Sequence, residues 1–167
     1  MQVTIEELPP LRVAFVVHDG PLDETPKAFE RLKMWVTGHR EPTDPLVAAW
    51  DTGSFRTTEN GLEGRVEGRI PFAKNVAARE APLLHVGKWP VDVKTLPAVR
   101  SAVVAYSGSG EDLLRFAGAL VAFLDKEGLS PGGEVRFVHS EPVEEGGAVR
   151  IRVEAVLDGG DAGQQPS

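Results

Sequence analysis

Apolar and polar positions alternate along this chain in two rhythms. Leu11 to His18 and Val99 to Tyr106 are short, β-branched apolar runs, each preceded by a Leu-Pro pair and closed by Gly20 or Gly108, which predicts a strand in each place. A helical rhythm follows both. Phe29, Leu32, Trp35 and Val36 recur at helical spacing up to Gly38, with Thr25 as the expected N-cap and Pro26 at the first helical position. Leu113, Phe116, Ala117, Leu120, Val121 and Leu124 form a second stripe up to Gly128, and Ser109 with Asp112 resembles a capping box at its start. Strands return at Pro45 to Asp51 and Arg65 to Phe72, and again at Gly133 to His139 and Val149 to Leu157. In the last of these, Val149, Ile151 and Val153 point one way while Arg150, Arg152 and Glu154 point the other, because successive strand side chains take opposite faces. Ala81 to Trp89 is read either as a further strand or as a link.

The two sets of elements are related. Val3 to Gly20 aligns without a gap on Val91 to Gly108, with 7 of 18 pairs identical, where unrelated segments would share roughly one. The expected fold is therefore α+β: two β-α-β-β half-domains, about 3–80 and 89–157, related by a pseudo-twofold. They form a mostly antiparallel curved sheet with two main helices and a central cleft. Residues 1–157 are read as one domain and the Gly- and Gln-rich stretch 158–167 as a disordered tail.

Composition narrows the function. With 18 Lys and Arg against 25 Asp and Glu, the formal charge is -7, which argues against direct nucleic-acid binding. No apolar run approaches the roughly 20 residues that span a bilayer, and no signal peptide is evident, so no membrane association and a cytoplasmic location are expected. The chain has no cysteine and its 4 histidines are scattered without paired spacing, so neither a metal site nor a cofactor is expected.

Three segments carry a family resemblance: VEGRIPF (Val66 to Phe72), KTLPAVRSAVVAYSGSGEDLLRFAGALVAFLDKEGLSP (Lys94 to Pro131) and the closing VRIRVEAVL. Together with LPPLRVAFVVHDGP, AFERLKMWV and LVAAWD in the first half, their order resembles the GyrI-like small-molecule-binding domain, the effector-binding module of AraC-type and MerR-type multidrug regulators. The resemblance implies a cleft that accepts amphipathic, often cationic or aromatic, molecules, with an acidic residue on the last strand of the second half meeting the cation. Here Arg150 stands at that position and Arg65 at its counterpart, with Glu154 further along the same strand face. An arginine there favours anionic or neutral ligands.

The candidate ligand-binding residues are Trp50, Phe72, Tyr106, Phe137, His18, Arg65, Glu67, Arg150 and Glu154. The aromatics suit a cleft wall. His18 and Tyr106 hold equivalent places in the two halves. The charged rows Arg65, Glu67, Arg69 and Arg150, Arg152, Glu154 fall on the strand face away from the helices and are read first as a solvated face, second as a ligand site. Phe29, Leu32, Trp35, Leu113, Phe116, Leu120, Val121 and Phe123 are assigned to the core.

The first functional reading is a non-catalytic binder of a small amphipathic organic molecule, a stand-alone member without a DNA-binding domain of its own. The second is a hydrolase of electrophilic small molecules, with Tyr106 and Glu154 or Glu67 activating water. The third is a protein-interaction module acting on DNA gyrase or a regulator.

Overall fold

The computed structural model describes residues 2–59, 61–74, 89–139 and 148–158. The expected tail beyond 158, and all of the segment from Ala81 to Trp89 except Trp89 itself, lie outside the described residues. Ten elements follow in order: β1 (Thr4–Leu8), β2 (Leu11–Pro21), α1 (Thr25–Gly38), β3 (Leu46–Thr58), β4 (Gly61–Pro71), β5 (Asp92–Leu96), β6 (Val99–Ser109), α2 (Leu113–Lys126), β7 (Pro131–His139) and β8 (Ala148–Leu157). The eight strands form one sheet in the order β1-β6-β8-β7-β3-β4-β2-β5, with every neighbour antiparallel. The α+β class, the two helices and the antiparallel curled sheet are as the pattern predicts.

Two strands depart from it. β1 and β5 end on the leucine of each Leu-Pro pair, whereas the apolar pattern places the first strand of each half only after the pair, at Leu11 and Val99. Each is short and half exposed, so its apolar signal is weak, and each pairs outside its own hairpin neighbourhood. β1 joins β6, with Ile5 opposite Ala102, and β5 joins β2, with Val93 opposite Ala14. β3 and β7 meet at the centre of the sheet, with Ala48 opposite Phe137. The strand order is consequently the same from either edge once β1–β4 are exchanged for β5–β8. We propose a duplicated chain on that order and on the match of Val3–Gly20 with Val91–Gly108.

Both helices pack on one face. Ala28, Leu32, Trp35 and Val36 of α1 are buried with Ala14, Val16, Ile70 and Phe72. Leu113, Ala117, Leu120 and Leu124 of α2 are buried with Ala102, Val104, Val135, Phe137, Ile151 and Val153. The helical spacing marks out all of these helix residues but Ala28, whereas Phe29, Phe116, Val121 and Phe123, also assigned to the core, are only half-buried against the two clusters; burial of a side chain such as Leu32 contributes about 1.5–3 kcal/mol. Among the described residues, no helix is long and apolar enough to cross a membrane.

The helix ends differ from the pattern's expectation. Each helix is entered through a short 3-10 turn, Leu22–Glu24 or Gly110–Asp112. The N-caps are Glu24 and Asp112, without a side-chain capping bond. Thr25 is therefore already helical, and Ser109 ends β6 rather than starting a capping box. At the other end, α2 closes in a Schellman arrangement, with Leu129 N donating to Leu124 O (2.9 Å) and Gly128 N to Asp125 O (3.1 Å). Gly128 supplies the positive φ, 79°, that this closure requires. In α1 the same closure falls on Arg40, with φ 60°, while Arg40 N donates to Thr37 O (2.8 Å) and Glu41 N to Val36 O (3.3 Å). A side chain in that region costs roughly 1–2 kcal/mol. Arg40→Gly is expected to stabilise the protein by about 1 kcal/mol in urea denaturation; a loss of stability would show that the Arg40 side chain makes a stronger compensating contact.

Candidate functional site

Sheet pleat and helix position together open a cavity of about 470 Å³ over the centre of the sheet. Its floor comes from three adjacent strands. β3 presents Leu46, Ala48 and Trp50, β4 presents Val66, and β7 presents Phe137 and His139. All of them have the same pleat parity, the one facing the helices, because Ala48 stands opposite both Phe137 and Gly68, and Trp50 opposite Val66. The walls are the start of α1, with Leu22 before it and Thr25, Pro26, Phe29, Glu30 and Lys33 on it, and Leu113 at the start of α2.

Small residues make the hollow. Ala48 leaves its volume between Leu46 and Trp50 on the same strand face. At Gly68, a Cβ would lie 2.6 Å from the Phe29 ring, so only glycine lets Phe29 settle against the sheet. The aromatic side is built as a stack: Trp50 meets Phe137 edge-on at 4.6 Å between centroids and Phe55 at 5.2 Å. Phe55 reaches it through an irregularity in β3 between Asp51 and Arg56. There Ser54 Oγ donates to Asp51 O (2.7 Å) and accepts from Arg65 N (2.8 Å). Gly64, where a Cβ would clash with the Phe55 ring, provides the room.

The charged side chains Glu30 and Lys33 stand on the α1 wall and the titratable His139 at the end of β7. Glu30 is exposed, whereas Lys33 and His139 are half-buried. Burial, and secondarily the Lys33 ammonium, pushes the His139 imidazole below its ordinary pKa, because both disfavour the cation. Such a cavity is mostly apolar and aromatic with a few polar groups at one side, the usual make-up of a small-molecule site.

Of the residues singled out from the sequence, Trp50 and Phe137 line this cavity. The other aromatic candidates lie elsewhere on the helix side. Phe72 is buried under α1 against Trp35, 5.1 Å between centroids. Tyr106 packs on Phe116 at 4.8 Å and donates its hydroxyl proton to Ser109 O (2.5 Å). His18 is buried with both ring nitrogens committed: Nδ1 accepts from Trp89 Nε1–H (3.2 Å) and Nε2 bonds Pro21 O (2.6 Å). None of the three is among the lining residues of the cavity.

Arg65, Glu67, Arg150 and Glu154 point the other way. Their strand neighbours Val66, Ile151 and Val153 are buried toward the helices, so alternation sends the charged set to the opposite face. An ionic ladder occupies that face. Lys94 Nζ donates to Glu67 (2.9 Å), as does Arg69 Nε (2.5 Å), and the Arg69 terminal nitrogens clasp Glu134 at 3.0 and 3.1 Å. Arg136 Nε donates to the same Glu134 (2.6 Å) and stands opposite Glu154 in the register. Arg152 then joins Glu154 (2.7 Å) to Glu6 (2.9 Å). Arg65 and Glu67 border a polar hollow of about 370 Å³ there, together with Asp51, Arg69, Lys94 and Glu134. Arg150 is exposed opposite Ser107. The expected replacement of a cleft acid by Arg150 is thus not what sets charge in the helix-side cavity. Nor can Tyr106 work with Glu67 or Glu154, because the sheet separates them.

Phe29 and Leu113, assigned to the core from helical spacing, are cavity walls as well as core neighbours. Lys33 on the wall and His139 on the floor are lining residues that the sequence pattern does not single out. Parity carries a signal for His139, which continues the inward series Val135 and Phe137 on β7. Lys33 follows Phe29 by one helical turn.

The profile of the GyrI-like small molecule binding domain matches residues 1–146. No curated protein matches the sequence. Among solved structures, EcmrR in its DNA complex superposes with a TM-score of 0.68 at 11% identity over 94% of this chain, which spans 57% of that protein. SAV2435, solved bound to tetraphenylphosphonium, gives 0.57 at 8% identity, with all of both chains covered. A hydrolase from Listeria innocua gives 0.60 at 8% identity over 94% of this chain and 92% of that one. At such identities the likeness is one of fold.

Proposed function

Because the chain belongs to the family of GyrI-like small-molecule-binding domains, we propose that it binds a small amphipathic organic molecule in the cavity over β4, β3 and β7. The observation that carries this reading is the combination in one hollow of about 470 Å³ of an aromatic floor, Trp50 and Phe137, with the charged side chains Glu30 and Lys33 on the α1 wall. A ligand's apolar body would take the floor and its polar end the α1 side. The tetraphenylphosphonium complex of SAV2435 supports the chemistry, since that ligand too is a largely aromatic body with one charge. The DNA complex of EcmrR involves a protein of which this chain spans 57%, and a shared fold does not bring a role in transcription with it.

Filling the hollow tests the reading. Ala48→Leu extends a longer side chain from the floor into the volume a ligand would take, and because Ala48 is buried in the core cluster the same overpacking is expected to cost roughly 1–3 kcal/mol of stability. Measured below the unfolding transition of the variant, the affinity for N-phenyl-1-naphthylamine, a neutral fluorescent probe, is expected to fall about tenfold or more. Unchanged affinity in the folded variant would place the binding site elsewhere.

A further inference from the structure

We propose that the cavity selects amphipathic molecules carrying an anionic group, a carboxylate or sulfonate, which Lys33 receives at the α1 wall with His139 beside it. The inference rests on the binding reading above and adds the sign of the ligand's charge.

Lys33 is the group that decides the sign. It lines the cavity and is half-buried. Among the described residues no carboxylate pairs with its ammonium, not even Glu30 one turn away on the same helix. An anion bound in the hollow would supply this ammonium with the counter-charge that no described carboxylate provides. Glu30, the one acid on the wall, is exposed and also borders a second hollow on the outer side of α1 with Met34, Trp35 and Trp89. Its field is accordingly screened by water, whereas that of Lys33 acts into the apolar hollow.

Both helices contribute residues near their starts to the lining, α1 through Thr25 and Pro26 and α2 through Leu113, and neither start carries a side-chain capping bond. Asp23, Glu24 and Asp112 flank these starts but are not among the lining residues.

His139 makes the preference pH-dependent. Lys33 and Glu30 face it from α1, Leu46 stands opposite it on β3, and the lining contributed by α2 is the uncharged Leu113. Burial and Lys33 push its pKa down, so the ring takes up its proton at a lower pH than an ordinary imidazole. Protonation then places a second positive charge beside Lys33. Affinity for an anion rises as the pH falls, and affinity for a cation drops.

The test uses two probes with the same aromatic body. 8-Anilinonaphthalene-1-sulfonate carries one negative charge and N-phenyl-1-naphthylamine carries none. Lys33→Gln is expected to weaken the sulfonate about tenfold and to leave the neutral probe unchanged, since one charge contact in a partly buried site is worth a factor of that order. Acidification should strengthen sulfonate binding in the unmodified protein and not in His139→Gln. Circular dichroism and thermal melts confirm that each variant is folded. If both probes bind and Lys33→Gln changes neither, the anion assignment is wrong while the cavity reading stands. The assignment is equally wrong if tetraphenylphosphonium displaces both probes and binds Lys33→Gln no more tightly than the unmodified protein. Failure of both probes to bind would remove the cavity reading and this inference with it.

Discussion

Arg69→Met is expected to lower the unfolding free energy by about 2–4 kcal/mol at neutral pH. Arg69 is 5% exposed, and its guanidinium bonds Glu67 through Nε (2.5 Å) and Glu134 through both terminal nitrogens (3.0 and 3.1 Å). Methionine replaces the stem and none of these bonds. It leaves two carboxylates on a half-covered sheet face with only Lys94 and Arg136 to hold them. Those residual partners, and the 32% exposure of the Glu134 side chain, keep the cost in the lower part of the range for a broken buried pair.

Acid is expected to erase the difference. Burial alone would raise the Glu134 pKa, but the hydrogen bonds and charge of Arg69, then those of Arg136, outweigh it and hold the carboxyl at about 2 instead of 4.5. A depressed carboxyl contributes stability that is fully present above its unfolded value and is lost as the pH falls toward the folded one. The gap between Arg69→Met and the unmodified protein should accordingly close between 4.5 and about 2, as followed by urea denaturation at a series of pH values. An undiminished gap in acid would mean that methionine is misfitted by shape rather than by charge. Probe affinity should not move in this variant, because the ladder and the cavity lie on opposite faces of one sheet.

That separation shows how far the sequence could be read. Alternation in VRIRVEAVL is enough to send Arg150, Arg152 and Glu154 to one side and Ile151 and Val153 to the other, and the structure agrees. Helical spacing likewise finds Leu32, Trp35, Leu120 and Leu124 in the core. The exchange of β1 and β5 between the halves is not legible in this way, because Thr4–Leu8 finds its partner at Val99–Val103 through a chain reversal that no local residue encodes. The cavity is harder still. Its existence depends on what Ala48 and Gly68 lack, and a missing side chain leaves no mark in an apolar pattern. Trp50 and Phe137 could be named as lining residues from their strands, whereas Phe29 and Lys33 needed the position of α1 over the sheet. Phe72 misleads for the same reason. It has the chemistry of a wall residue, but α1 covers it with Trp35.

Leu120→Ala, by contrast, is expected to cost about 2–5 kcal/mol in unfolding free energy, the range for truncating a fully buried leucine. Leu120 has no exposed surface, and in α2 it packs in the cluster that includes Ala117, Leu124, Val135, Val153 and Ala155. The spread depends on how well that cluster can collapse around the lost methyl groups, and the β-branched Val135 and Val153 on stiff strands leave little room for it. Leu120 does not line the cavity, whereas Leu113, two turns earlier on the same helix, does. Below the unfolding transition, Leu120→Ala should therefore retain the probe affinity of the unmodified protein while losing stability, whereas Ala48→Leu loses affinity in its folded state. Guanidinium denaturation alongside probe titration separates the two effects. Full stability in Leu120→Ala would place that face of α2 in solvent. A tenfold loss of probe affinity in the folded variant would show that α2 sets the shape of the cavity through its whole length and not only through its first turn.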